Sequence, residues 1–182
     1  SGGGVGSAAP AFTLAEGRIE NGRVRYVDHG SGTTYELSAV DAKVGIPGSG
    51  AAKLSLAAVM NGEPLSLDAT VGDFSRFLRG AVADIEARFT AAGAKGDFTG
   101  QAGLSPMAVT GEFSADLGET ARLAKLATGA GVDVPAGLGR KAAVSGTLTL
   151  APEGSLHLRN GRITADGNTL RGVFVLLPFG RP

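Results

Sequence analysis

A chain of 182 residues suffices for one domain, or one segment of a longer protein, and can bury about 70% of its unfolded surface. With 30 Gly, no Trp and no Cys it has no disulfides, thiolate nucleophiles or cysteine-held metals, and Val, Leu, Ile and eight Phe must do most of the packing. Seventeen basic residues cancel seventeen acidic ones, so there is no electrostatic footprint for nucleic acid.

Ser1-Gly2-Gly3-Gly4 opens residues 1–9, which read as a flexible linker or an expression scar. Residues 10–182 read as one β domain, a segment of a longer protein. Alternation of apolar and polar residues predicts strands at Phe12–Leu14, Ile19–Val27 and Tyr35–Ile46. Leu54, Leu56 and Ala58 alternate before Asn61-Gly62, and Leu65, Leu67, Ala69 and Val71 alternate after it. That is a hairpin with one dry and one wet face. Asn21-Gly22, Asn160-Gly161 and Asp166-Gly167 are further predicted turns, because Asn, Asp and Gly accept positive φ cheaply.

A short helix is predicted from Phe74 to Arg79, with Asp73 as N-cap and Gly80 as the stop. Strands follow at Ile85–Ala91, Ala94–Leu104 and Val109–Ala115. A second helix is predicted from Leu117 to Thr128, capped by Asp116 with Glu119 and ended by Gly129. The last strands are Ala143–Ala151, Ser155–Asn160 and Leu170–Leu177. No run of about 18 apolar residues occurs, so no transmembrane helix is predicted in this stretch. The fold class is mainly β: a long, curved, antiparallel meander with an open groove and two short amphipathic helices.

Four segments repeat the order apolar, any, Gly, any, apolar. They are Phe98–Ala102, Val109–Phe113, Val144–Leu148 and Leu170–Phe174. In each, the glycine shares a face with the two apolar residues, since one face takes every second position. A glycine there permits bending or close approach. Glycines aligned across strands predict a trough.

Chemistry-bearing residues are few. His29 stands beside Asp28 and Ser31, but neighbouring strand residues point to opposite faces, so a turn fits better than a triad. His157 alternates with Leu156 and Leu158 and reads as solvated. Asp166-Gly167-Asn168 is like part of a calcium loop but lacks its spaced acidic ligands. The glycine runs at Gly45–Gly50 and Gly129–Gly131 lack the endings of phosphate-binding loops. Arg18, Arg23 and Arg25 read as a solvated edge that discourages aggregation. The expectation is no catalytic residue, no metal and no cofactor.

The pattern Gly17-Arg18-Ile19-Glu20-Asn21-Gly22-Arg23-Val24-Arg25-Tyr26-Val27-Asp28, then Tyr35–Val40, resembles the AsmA family of Gram-negative bacteria. The segment Gly131-Val132-Asp133-Val134-Pro135 after the second helix, with Leu170–Val175, is similar to that family's C-terminal region. The resemblance covers most of Phe12–Pro182. It implies a periplasmic domain tethered to the inner membrane by an anchor outside this sequence. It also implies a taco-shaped β-sheet related to bridge-like lipid carriers, with a role in phospholipid movement or outer-membrane assembly.

The expected partner is a phospholipid or other acyl lipid. Ten strands at about 4.8 Å make a sheet about 48 Å across, wider than the roughly 15 Å of one leaflet's hydrocarbon. The candidate groove lining is Phe98, Val109, Phe113, Val144, Leu148, Leu170, Phe174 and Leu176, extended by Leu54, Leu56, Leu65 and Leu67. The alternative is a scaffold module whose apolar face is filled by its own helices and which binds a protein at an exposed sheet edge.

Overall fold

A computed structural model describes residues 16–27, 34–46, 50–105, 107–129, 133–135, 139–151 and 154–176. The predicted linker, the strand at Phe12–Leu14, and His29 lie outside them. The described chain forms ten strands in one antiparallel sheet. Each strand pairs with the next in sequence order, and the sheet does not close on itself. The strands are β1 Glu16–Val27, β2 Thr34–Gly45, β3 Ala52–Met60, β4 Glu63–Val71, β5 Ala83–Ala91, β6 Ala94–Leu104, β7 Met107–Glu119, β8 Lys141–Leu150, β9 Leu156–Ala165 and β10 Asn168–Leu176.

Three connections are two-residue turns with both residues at positive φ. Asn61-Gly62 joins β3 to β4 (φ 52° and 77°) and Asp166-Gly167 joins β9 to β10 (45° and 86°). Ala92-Gly93 joins β5 to β6 (51° and 89°). This hand of turn matches the strand twist, which is why the strands pair without splaying. Ala92 carries a Cβ and was not legible as a turn residue. Its position is fully buried, and burial offsets the strain of the left-handed backbone.

Two of the predicted turns are bulges. Asn21 (φ 48°) and Asn160 (φ 50°) each sit as an extra residue inside a strand, in β1 and β9. The Asn21 amide donates to Asp41 Oδ1 at 2.9 Å. A bulge and a hairpin turn both need one residue at positive φ, so the Asn-Gly dipeptide serves either. Pairing beyond the dipeptide decides between them. As a result β9 continues past Asn160 to Ala165, where no strand was predicted.

Helix α1, Phe74–Leu78, begins as expected, with Asp73 Oδ1 accepting from the Arg76 amide at 3.3 Å. Helix α2, Thr120–Thr128, starts three residues later than predicted. Residues 117–119 belong to β7, where Leu117 is the extra residue of a bulge and Gly118 and Glu119 still pair with β8. The Asp116 carboxylate accepts instead from the Gly118 amide at 2.9 Å, at a bulge where Gly118 has φ 55°. The N-cap Glu119 makes no side-chain cap bond, so the expected capping box is absent. Gly129 closes the helix at φ 74°, as its position predicted.

Candidate functional site

Strand alternation and register sort the sheet into two faces. One register row reads Leu54, Ala69, Ala87, Phe98, Phe113, Gly146 from β3 to β8. The next reads Leu56, Leu67, Phe89, Gly96, Ala115, Val144, Ile163, Leu170, running on to β10. Leu65 faces Ala58 and Ala91. Leu148 faces Leu158, which faces Phe174. Val109 faces Leu150, Leu150 faces Leu156, and Leu176 occupies the position opposite Leu156. All twelve predicted lining positions thus fall on one face. Ile85, Phe89, Leu150, Leu156, Leu158 and Ile163 belong to it as well. The same alternation that marked their strands marks them.

The opposite face is polar and knitted by cross-strand hydrogen bonds. Ser55 Oγ donates to Asp68 at 2.6 Å, Ser114 Oγ to Asp97 at 2.6 Å, and Thr147 Oγ1 to Glu112 at 2.9 Å. Surface depressions lie on this side. One, of about 470 Å³, runs between Lys53, Thr70, Glu86, Thr99 and the parallel row Ser55, Asp68, Arg88, Asp97. His157 shares this face, half-buried, with Nε2 2.9 Å from Ser155 Oγ.

The apolar face does not behave as a closed core. Among the described residues no large side chain is fully buried. The buried apolar set is Val40, Leu126, Leu158 and seven alanines. Two groups of those alanines lie at opposite strand ends of the face. Ala52, Ala83 and Ala102 sit near α1, which packs against the ends of β5 and β6. Ala58, Ala92, Ala94 and Ala115 sit near the other end, which α2 approaches. Small side chains leave room there for a helix. Between the two ends the large residues Leu54, Leu56, Leu65, Leu67, Phe98 and Phe113 stay half-buried, and Leu170 near the β10 edge is 60% exposed.

Polar contacts hold α2 in place. Glu63, itself 7% exposed, takes Arg122 Nη2 at 2.6 Å and Lys125 Nζ at 3.3 Å. Asn61 Nδ2 donates to the Leu126 carbonyl at 2.8 Å. The Arg122 hydrogen bonds hold the Glu63 carboxyl below the usual carboxylate range. Loss of water opposes that lowering, and Lys125 adds to it. Only Leu126 of α2 is buried.

Of the four repeat glycines only Gly100 and Gly111 pair with each other; Gly146 faces Phe113, and Gly172 faces Gly161, which lies outside the repeat. They are not open gaps, however. The Phe98 ring lies over Gly100 and Gly111, where a Cβ on either would meet Cζ at 2.8 Å. Phe174 covers Gly161 in the same way, at 2.6 Å, and Phe89 covers Gly96, at 2.5 Å. The Phe89 and Phe113 rings stack with centroids 6.2 Å apart, although β6 runs between their strands. Two strand spacings are about 9.6 Å, so the rings converge above Gly96 on the apolar side. Glycine thus seats an aromatic ring and lets the apolar surface draw together.

Among the described residues no group of three His, Asp or Glu is placed to hold a metal ion, and no helix is long and apolar enough to cross a membrane. Asp166, in the predicted turn, accepts from the amides of Gly139, Arg140 and Lys141 at 2.8 to 3.1 Å. No family model matches this chain, and neither the curated proteins nor the solved structures contain a match.

Proposed function

We propose that this chain is a non-enzymatic, AsmA-like periplasmic segment whose apolar sheet face shelters acyl chains of phospholipid between the inner and outer membranes. One observation carries the reading. A single apolar face runs across the ten-stranded sheet, yet its large side chains stay partly open. Ten strands leave nine spacings, about 43 Å along the sheet at about 4.8 Å each. Exposed apolar area on that scale is uncommon on a soluble monomer and marks an interaction surface. Burying a methylene is worth about 0.8 kcal/mol, so ten give about 8 kcal/mol before the cost of ordering the ligand. Contacts of this kind hold hydrocarbon without fixing its identity or position, which suits a sliding cargo.

The scaffold alternative needs the face filled by the chain itself. Against it, α1 and α2 are held at the strand ends and leave the middle of the face half-open. The test is mass spectrometry of lipid carried through purification, with uptake of a fluorescent fatty acid. Leu67→Asp, in the middle of the face, is expected to cut uptake at least roughly tenfold by placing a charge against hydrocarbon. Thr99→Ala, on the polar face, is expected to leave it unchanged. Wild-type protein that carries no lipid and takes up no probe would reject the proposal.

A further inference from the structure

On the polar face, charged residues set against each other across neighbouring strands mostly have answering partners. Asp68 and Asp97 flank Arg88, and Lys95 faces Asp116. Arg18 faces Lys43, a like-charge pair, but each has its own carboxylate: Glu20 at 2.5 Å and Glu16 at 3.2 Å. Arg162 and Arg171 break this pattern. They stand directly opposite each other on β9 and β10, both exposed, and neither has a carboxylate within salt-bridge distance among the described residues. The Asn160 bulge sets Arg159 on the same face, also exposed and without an ion pair among the described residues.

Like charges directly opposed on neighbouring strands destabilise a sheet, and Asp97 and Glu112, which line a neighbouring depression with Arg162, make no ion pair with it, so the opposed Arg162 and Arg171 are open to an anion. Guanidinium pairs phosphate oxygens through two parallel N–H bonds, and the planar fork suits a tetrahedral oxyanion better than a point charge does. A depression of about 420 Å³ lies at Arg162 and Arg171, lined also by Asn160, Gly161, Gly172 and Val173, with Arg159 adjoining Asn160 in sequence. Val173 and Val175, on the β10 edge strand beside Arg171, are 67% and 51% exposed. Apolar side chains beside unpaired arginines match the boundary between headgroup and hydrocarbon.

We propose that Arg159, Arg162 and Arg171 form a phosphate-binding site at the β10 edge, and that its oxyanion is the phosphate of an anionic lipid. The site lies on the face opposite the acyl-binding surface and does not rest on that reading. Inorganic phosphate and soluble anions share the chemistry, so the experiment separates the sources. The whole chain is titrated with inorganic phosphate, with phosphatidylcholine vesicles, and with the same vesicles containing phosphatidylglycerol.

The expected result is binding to the phosphatidylglycerol vesicles that weakens as salt rises, with none to phosphatidylcholine alone. Each arginine removed should weaken it roughly fivefold. Arg162→Gln with Arg171→Gln should therefore lose roughly 25-fold. Arg79→Gln, an exposed arginine after α1, should change nothing. The double variant should unfold at the same urea concentration or a higher one, since a repulsion is gone. Saturation by inorganic phosphate with no vesicle binding overturns the lipid source. Absence of both, binding unaffected by the double variant, or a double variant that loses stability overturns the site.

Discussion

Phe98 shows how one side chain sets the character of the sheet. Its ring spans the paired glycines 100 and 111, so those residues have no room for a Cβ. At Gly100 an added Cβ would collide with the Thr110 carbonyl and lie 2.5 Å from the Gly111 Cα, both backbone atoms that cannot swing away. Gly100→Ala is therefore expected to destabilise by about 1–3 kcal/mol, the range for overpacking. Urea unfolding checks this, with Gly62→Ala as a contrast: Gly62 has open space around it but a φ of 77°, so its cost comes from the backbone alone. Sequence spacing placed Gly100 and Phe98 on one face. It could not say that the ring folds back over the glycine, because the side chain's rotamer depends on the neighbouring strand.

At the scale of an element, α2 is the informative piece. Its only buried side chain is Leu126, and its polar ties run through Glu63 and Asn61 and, at its first residue, from Thr120 to the Gly139 and Arg140 carbonyls. Helix docking should thus follow the charge of one carboxylate. Because the native pKa of Glu63 is lowered, its contribution is complete above the unfolded value of about 4.3 and fades as pH falls through the native value. Acidification through that lowered native value is expected to loosen α2 while the strands persist. The Leu126 amide resonance followed by NMR would report it. Glu63→Gln should remove that acid step and lower hydrogen-exchange protection across Thr120–Thr128 by roughly tenfold at neutral pH. Retained protection in that variant would show that Leu126, Asn61 and Thr120 hold the helix without the carboxylate. The helix itself was legible from Leu123, Leu126 and Gly129. Its start was not, because β8 holds Gly118 and Glu119 in the sheet.

At the scale of the whole sheet, the described strands pair only with their sequence neighbours, and among the described residues β1 and β10 each leave one edge open. Stability in such a sheet should rise toward the middle, where each strand has two partners. Hydrogen exchange is expected to be slowest in β5 and β6 and fastest in β1 and β10, since edge strands open without disturbing the rest. Uniform protection would mean the edges are covered in solution by another chain. The open edges also explain the charges upon them. Arg18 and Arg23 of β1 are ion-paired with Glu20 and Glu36, and such charge discourages stray strand addition.

The amino-acid order alone determined the strand count to within one, the meander class, the first helix, and the sorting of twelve lining residues onto one face. These follow from period-two alternation and from Gly and Asn at positive φ, both properties of short stretches of chain. Tertiary structure decided what no short stretch contains. Pairing with a second strand made Asn21-Gly22 and Asn160-Gly161 bulges and not turns. It set Phe rings over glycines from adjacent strands, and it brought Glu63 to Arg122 across 59 positions. It also placed Arg162 against Arg171, neither ion-paired among the described residues, since register determines which charges meet.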